Sequence, residues 1–363
     1  MTRVAREGSH SVILDRLDVP VALAPLAGGP STPQLTAAVS NAGGLGFLAA
    51  GYLSADALAG QIQAVRELTA APFGVNLFVP GASSPPGSVD DYAQRIAAVA
   101  AAAGVELGQP RYDDDSWQAK LALLAGDPPP VISFTFGCPD PSVISTLKGA
   151  GSEVWVTVTT PAEAEHAAAA GADALVAQGS EAGGHRGSFT DDPGTDASGG
   201  YGLLSLLQVI QARTNLPVVA AGGISTGAAV AAVLACGARA AQLGTAFLRS
   251  PEAGTSQVHR DAVAAPGETA MTRAFTGRLA RGIRNRFLDD HSQAAPVAYP
   301  DVHYLTAPLR ASGRSAGSPD LVNLWAGETH ELAGALPAAE LVAQLVDEAR
   351  SALAAAAGRV SRA

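Results

Sequence analysis

The sequence predicts an α/β fold, a (β/α)8 barrel of parallel strands with a smaller, mainly helical insertion covering its C-terminal face. Three observations predict it. Short, almost continuous apolar runs alternate with longer Ala-rich stretches of helical period. Runs of that kind are buried on both faces, as the strands of a parallel sheet are. Several helical stretches stop at a glycine, namely Gly43, Gly104, Gly149, Gly171 and Gly237, where a left-handed cap would end them. The alternation yields eight strands, which favours a closed barrel over an open sheet, and 363 residues leave room for a barrel of about 250 residues plus insertions.

In order, the runs read as strands are Val21–Pro25, Leu45–Ala50, Phe73–Phe78, Val131–Phe136, Val154–Val158, Ala174–Gln178, Val218–Ala221 and Ala241–Phe247. Between them, Thr32–Asn41, Ser54–Thr69, Val89–Ala103, Ser142–Lys148, Ala162–Ala170, Leu203–Arg213 and Thr226–Ala235 carry helical periodicity. Three stretches break the pattern: a Pro/Ser/Gly loop at Pro80–Gly87, a Gly/Asp/Ser loop at Asp191–Gly200, and a long region with no clear strand–helix pair. The expected division is therefore a barrel over 1–253, a helical cap over the substrate site at 254–330, and a closing segment at 331–363. In that last segment Ala338–Ala357 reads as a helix packed on the barrel.

Composition removes several function classes. Hydrophobic residues make up 47% and charged residues 15%, too apolar for a disordered chain. The formal charge is -10, with the acidic residues scattered, so no basic surface for nucleic acid is present. Two cysteines, Cys138 and Cys236, give no disulfide framework and fit a reducing compartment. Met1–His10 has no apolar core of a signal peptide, and no apolar run approaches the ~20 residues of a membrane span, so a cytoplasmic location is expected. No metal-ligand spacing, G-x-S-x-G or first-strand G-x-G-x-x-G occurs.

In a barrel the loops at the C-terminal strand ends build the active site, and the unusual polar and glycine residues fall there. Ala221-Gly222-Gly223-Ile224-Ser225 follows the seventh strand, and Gln242-Leu243-Gly244-Thr245 lies on the eighth. Backbone N–H groups of these two loops, with a helix N-terminus, commonly hold a phosphate; each motif alone could equally be a tight turn, but together they favour phosphate binding. Asn76 sits inside the apolar run Phe73–Phe78, and Gln178 ends another. A buried amide must have its hydrogen bonds met. The partner is either a flat heterocycle such as an isoalloxazine or a neighbouring strand.

His185 follows Gly183 and Gly184 in what reads as a flexible, solvent-accessible loop, where an imidazole near its ordinary pKa of ~6.5 would exchange protons at neutral pH. Cys138 is either a pocket residue or small packing. Arg273, Arg278, Arg281, Arg284 and Arg286 either clamp an anion or form a solvated helix face.

These residues carry a family resemblance. Ala24-Pro25-Leu26-Ala27-Gly28-Gly29-Pro30-Ser31-Thr32-Pro33, Ser40 to Gly46, Phe73 to Pro80, Gln178 to Gly187, Ala220 to Gly223, Gln242 to Phe247 and Thr276-Gly277-Arg278 resemble the motifs of the nitronate monooxygenases, once called 2-nitropropane dioxygenases. The Glu-Ala-Gly-Gly-His loop is similar to that of flavin enoyl reductases and some quinone reductases as well. The resemblance implies a TIM barrel holding FMN through Ala24, Pro25, Leu26, Asn76, Gln178, Gly183, Gly223, Gln242, Gly244 and Thr245, with His185 as the active-site histidine. It implies oxidation of alkyl nitronates, such as propionate 3-nitronate, by O2 to a carbonyl compound and nitrite. The alternative is an FMN-dependent NAD(P)H reductase of an enoyl thioester or quinone. Thr135, Tyr299 and His303 are the expected substrate contacts. Two departures stand out: Leu26 replaces the family's methionine, and Thr135 stands where one class has a second histidine in Phe-His-Phe-Gly. The expected partners are a small-molecule substrate and O2, with no metal; a homodimer is left open.

Overall fold

Eight parallel strands form one sheet in the order β1-β9-β8-β6-β5-β4-β3-β2. They are β1 (Val21–Leu23), β2 (Gly46–Ala49), β3 (Phe73–Phe78), β4 (Val131–Thr135), β5 (Glu153–Val158), β6 (Ala174–Gln178), β8 (Val218–Ala221) and β9 (Ala240–Leu243), while β7 (Gly184–His185) lies outside this sheet. The ends meet: Leu45 donates to the carbonyl of Val21 and accepts from Leu23 N, so the sheet closes into a barrel. This is a computed structural model, and it describes residues 13–192 and 200–361. The readings made for Met1–His10 and for positions 193–199 of the Gly/Asp/Ser loop lie outside the described residues.

All eight expected strands are present, and side-chain alternation explains the layout of the barrel interior. Along successive strands every second residue points inward. At the bottom these are apolar, with Ala22, Phe47, Trp155, Ala174, Val219 and Ala240 in one buried cluster. Two or four residues further along they become Asn76, Thr135, Thr157, Gln178 and Gln242, which face the cavity at the top. The outer faces of the strands pack on the surrounding helices, with Val156, Val158, Leu206, Ile210 and Val230 fully buried.

The expected helices form as well, several held by sequence-legible caps. Thr32, Ser54 and Thr226 accept from the third N–H beyond them, and Thr160 with Glu163 makes a reciprocal capping box. The helix Pro141–Ala150 runs through Gly149 and stops at Gly151 (φ +112°), two residues later than expected. The helix Trp117–Gly126 is an addition to the expected set.

The region after β9 is not purely helical. It contains the helices Gln257–Ala264, Arg286–His291 and Asp301–Ala316, but also an antiparallel pair, β10 (Thr269–Thr272) and β11 (Ala280–Ile283). β11 pairs in turn with β7 (Gly184–His185), which belongs to the loop after β6. The helix Ala338–Val360 then packs against the Gly227–Ala235 helix and the Pro33–Asn41 helix. Among the described residues no helix is long and apolar enough to cross a membrane.

Candidate active site

A cavity of about 600 Å³ opens at the C-terminal ends of the barrel strands, under the region that follows β9. That is a volume suited to a small-molecule or cofactor site. Of the residues singled out from the sequence, Ala24, Pro25, Leu26, Asn76, Thr135, Gln178, Gly183, His185, Gly223, Gln242, Gly244, Thr245 and His303 all line it. Tyr299 does not; it stands behind the wall, donating its hydroxyl to Tyr52 Oη at 3.2 Å with its ring 5.8 Å from that of His185.

At one end the turn after β8 exposes backbone. Gly222 (φ +112°) and Gly223 (φ +66°) adopt conformations that favour glycine. Among the described residues the N–H groups of Gly222, Gly223 and Ile224 meet no acceptor. Thr245 Oγ1 accepts from Gly327 N at 3.0 Å, which leaves its hydroxyl proton to donate. Unsatisfied donors converging on a cavity fit a phosphate group. The neighbouring helix N-terminus contributes less than expected, because the N–H of Gly227 is taken by the Glu348 carboxylate at 2.8 Å.

The two amides serve different roles. Gln178 is a clamp: its Nε2 donates to the His185 carbonyl at 3.0 Å and its Oε1 accepts from Gly187 N at 2.8 Å. Asn76 spends both Nδ2 hydrogens on Ser133 and Thr135 hydroxyls at 2.9 and 3.0 Å, so its remaining capacity is as an acceptor. Gln242 makes only a 3.4 Å bond to Leu23 O and keeps most of its donors and acceptors for the cavity. Gly183 is required sterically, since a Cβ there would lie 2.4 Å from Ala326 C and Gly327 N.

His185 is not on a flexible loop, though it is only half-buried and faces the cavity. It is held by β7–β11 pairing and by Gln178, and its ring is walled by Phe136, Tyr299 and Trp325 at 5.4 to 5.8 Å. Its Nε2 lies 2.9 Å from Thr276 Oγ1. Burial, reinforced by the charges of Arg278 and Arg310, pushes its pKa down to about 3. The imidazole is therefore neutral across the physiological range, not poised near its ordinary value.

The covering region adds residues the sequence did not flag. Arg310 lines the cavity and is buried; its guanidinium bonds the carbonyl of His303 at 2.7 Å, His303 Nδ1 at 3.3 Å and the Thr306 hydroxyl at 3.1 Å. No carboxylate pairs with it among the described residues. Burial and neighbouring Arg314 pull its pKa down to about 10, so it remains a cation. Beside it, burial and the same cation push His303 down to about 2. Tyr52 stacks face to face on His303, with centroids 4.3 Å apart and planes 4° apart. Phe78, Phe136 and Trp325 complete an aromatic wall. The legible signal for Arg310 was its place two helical turns beyond His303, and for Tyr52 its position just past the second strand.

The basic run does not act as one group. Arg273 pairs with Asp191 at 2.6 Å, and Arg281 with Glu328 at 3.0 Å. Arg284 and Arg286 make exposed pairs with Asp289 and Asp290. Only Arg278 approaches the site, buried 4.0 Å above the Phe136 ring. Cys138, partly buried, packs against the core with its thiol pushed up to about 11 by burial, and Cys236 caps a helix. No group of metal-ligating side chains occurs among the described residues.

Known proteins are similar to this chain over nearly its whole length. The family model for nitronate monooxygenase matches residues 12–348. A nitronate monooxygenase from Pseudomonas aeruginosa is 41% identical, covering 91% of this chain and 96% of its own length. One from Paraburkholderia phytofirmans is 40% identical over 93% of this chain and 94% of its own. Among solved structures, a nitroalkane oxidase from Streptomyces ansochromogenes shares 51% identity and a TM-score of 0.92, covering 94% of this chain and 99% of its own. FabK from Thermotoga maritima shares 25% identity and a TM-score of 0.74, over 96% and 97%. The chain belongs to the nitronate monooxygenase family.

Proposed function

We propose that the chain binds FMN in this cavity and oxidises alkyl nitronates with O2 to a carbonyl compound and nitrite. The observation that carries the reading is a neutral imidazole, His185, and a buried guanidinium without a carboxylate partner, Arg310, on one cavity that has free backbone donors at its other end. The donors of Gly222, Gly223, Ile224 and Thr245 suit a phosphate, with Gly244 lining the cavity beside them. Asn76 and Gln242 offer the amide pattern a flavin ring needs, alongside Ala24, Pro25, Leu26, Gln178 and Gly183. A bound flavin supplies electron acceptance from the nitronate and the reduction of oxygen.

The protein's own groups do the rest. Arg310 draws and holds an anion in a site screened from water, where a charge-assisted bond is strong. His185 presents a fixed neutral ring to the cavity, oriented by Thr276. A base whose pKa is pushed to about 3 is a poor acceptor of a proton from carbon, so the preformed anion is the better substrate. Tyr52, Phe136 and Trp325 exclude water.

The purified protein should be yellow and release FMN, not FAD, on heat denaturation. Mixed anaerobically, an alkyl nitronate should bleach it. Bleaching by NAD(P)H and not by nitronate would instead support a reductase, the activity the FabK likeness raises.

A further inference from the structure

We propose that Lys120, which does not itself line the cavity, is a positioning residue that fixes Tyr52 against His303. Lys120 is, with Gln118, one of two polar side chains of the otherwise apolar Trp117–Gly126 helix and is 1% exposed. Its Nζ donates to the carbonyl of Ala50 at 2.9 Å and lies 2.7 Å from Asp115 Oδ2. The other oxygen, Asp115 Oδ1, accepts from Tyr52 N at 2.8 Å. One ammonium therefore brackets the turn after β2 from both sides, holding residue 50 directly and residue 52 through a carboxylate.

The bracket is needed because the turn is unfavourable. Tyr52 has φ +69°, and Asp115 and Ser116 have φ +57° and +56°. Left-handed conformations at residues other than glycine are unfavourable and persist only where surroundings over-determine them. Position 51 admits only glycine, since a Cβ there would meet Phe78 Cε2 at 2.2 Å. A buried ion pair is an expensive way to stabilise a fold, so its presence asks for a reason. Here the reason is geometric: the left-handed turn throws the Tyr52 ring across the cavity, flat on His303 of the covering region and within 3.2 Å of the Tyr299 hydroxyl.

The same stretch reaches the covering region directly. Asp113 Oδ1 accepts from Asp115 N, and its Oδ2 accepts from the Tyr304 hydroxyl at 2.5 Å. Gly108 N donates to Leu305 O at 2.9 Å. The barrel turn and the Asp301–Ala316 helix are thus referred to one carboxylate-bearing segment, and Lys120 anchors that segment to the barrel.

The inference rests on the cavity being where the nitronate is oxidised, and two readouts separate the two claims. Lys120→Met keeps length and removes the charge; it should lower kcat/KM for an alkyl nitronate roughly tenfold or more, the scale of a small misplacement at a reacting site. In a Tyr52→Ala background the same substitution should change kcat/KM by no more than about twofold, because the group it positions is gone. Additive losses would overturn the proposal, since a merely structural lysine costs the same in either background. Where Lys120→Met does not fold, Asp115→Asn keeps the Lys120–Ala50 bond and should show the same non-additivity at smaller size. A crystal structure of the folded variant reads the claim without any substrate. A Tyr52 ring displaced from His303 by about 1 Å or more supports it, and an unchanged stack overturns it even in an active enzyme.

Discussion

The Nε2 atom of His185 lies 2.9 Å from the hydroxyl of Thr276, a residue 91 positions later in the chain, in the turn between β10 and β11. Thr276 Oγ1 is also 3.2 Å from the carbonyl of Arg278. With its proton on that carbonyl, the hydroxyl accepts from His185, and the other ring nitrogen carries the free lone pair. Thr276→Val removes this orientation. It should lower kcat/KM on nitronate by about 1 kcal/mol, roughly fivefold, with flavin content unchanged. His185→Asn should cost more, and the double variant no more than His185→Asn alone. Parent-like turnover by His185→Asn on nitronate at every pH would remove this histidine from the mechanism.

The pH dependence follows from the lowered pKa of His185, about 3. With nitronate supplied as the anion, kcat/KM should show no inflection belonging to His185 between about pH 5 and 9, unlike an unperturbed imidazole at ~6.5. An inflection near 6.5 that disappears in His185→Asn would show that the ring titrates normally.

Arg310→Met should raise KM for the nitronate anion roughly 10- to 100-fold, the range for losing a charge-assisted bond, while leaving the KM of the neutral nitroalkane nearly unchanged. Equal losses for both substrates would mean that Arg310 shapes the site and does not recognise charge. Steady-state kinetics with the paired substrates decides it.

Gly223→Asp should abolish flavin binding. Any Cβ at this φ of +66° is strained and would sit 3.0 Å from Glu181 Cβ, and the carboxylate adds a charge beside the free N–H groups. Like charges at ~4 Å in a partly buried site cost several kcal/mol. Full flavin absorbance after reconstitution would place the phosphate elsewhere.

Stability should depend on acid in a specific direction. His185, His259 and His303 have pKa values lowered by burial to about 3, about 4 and about 2. These rings bind protons more weakly folded than unfolded. Their contribution is therefore full above the unfolded pKa of ~6.5 and is lost as pH falls from there toward the folded values. Tm should hold between about pH 7 and 8 and fall below about 6.5, with a shallower fall in His259→Gln. An equal slope in that variant would assign the loss to other groups.

Much of the fold was legible because a parallel barrel writes itself in one-dimensional terms. A strand such as Phe73–Phe78 is apolar on both faces, and a cap such as Thr160 with Glu163 is visible in sequence. Asn76 and Gln178, which both line the cavity, were legible because an amide inside or ending an apolar run is anomalous. The misses are long-range. The mobility of the His185 loop was misread because two glycines suggested freedom, whereas pairing of β7 with β11 fixes the loop. The Trp117–Gly126 helix begins at a left-handed Ser116 with no side-chain cap, so nothing local announces it. Arg310 and Tyr52 matter through what tertiary packing brings against them.

The three-stranded sheet β10-β11-β7 has a consequence for modular exchange. Because the histidine strand is stitched into the hairpin that covers the cavity, that cover cannot swing clear as a hinged door without breaking main-chain bonds beside the His185 ring. Traffic of small molecules must use a standing doorway. By the same token, transplanting the cover from one relative to another means moving Gly184–His185 with it, so the histidine and its roof are inherited as a single part.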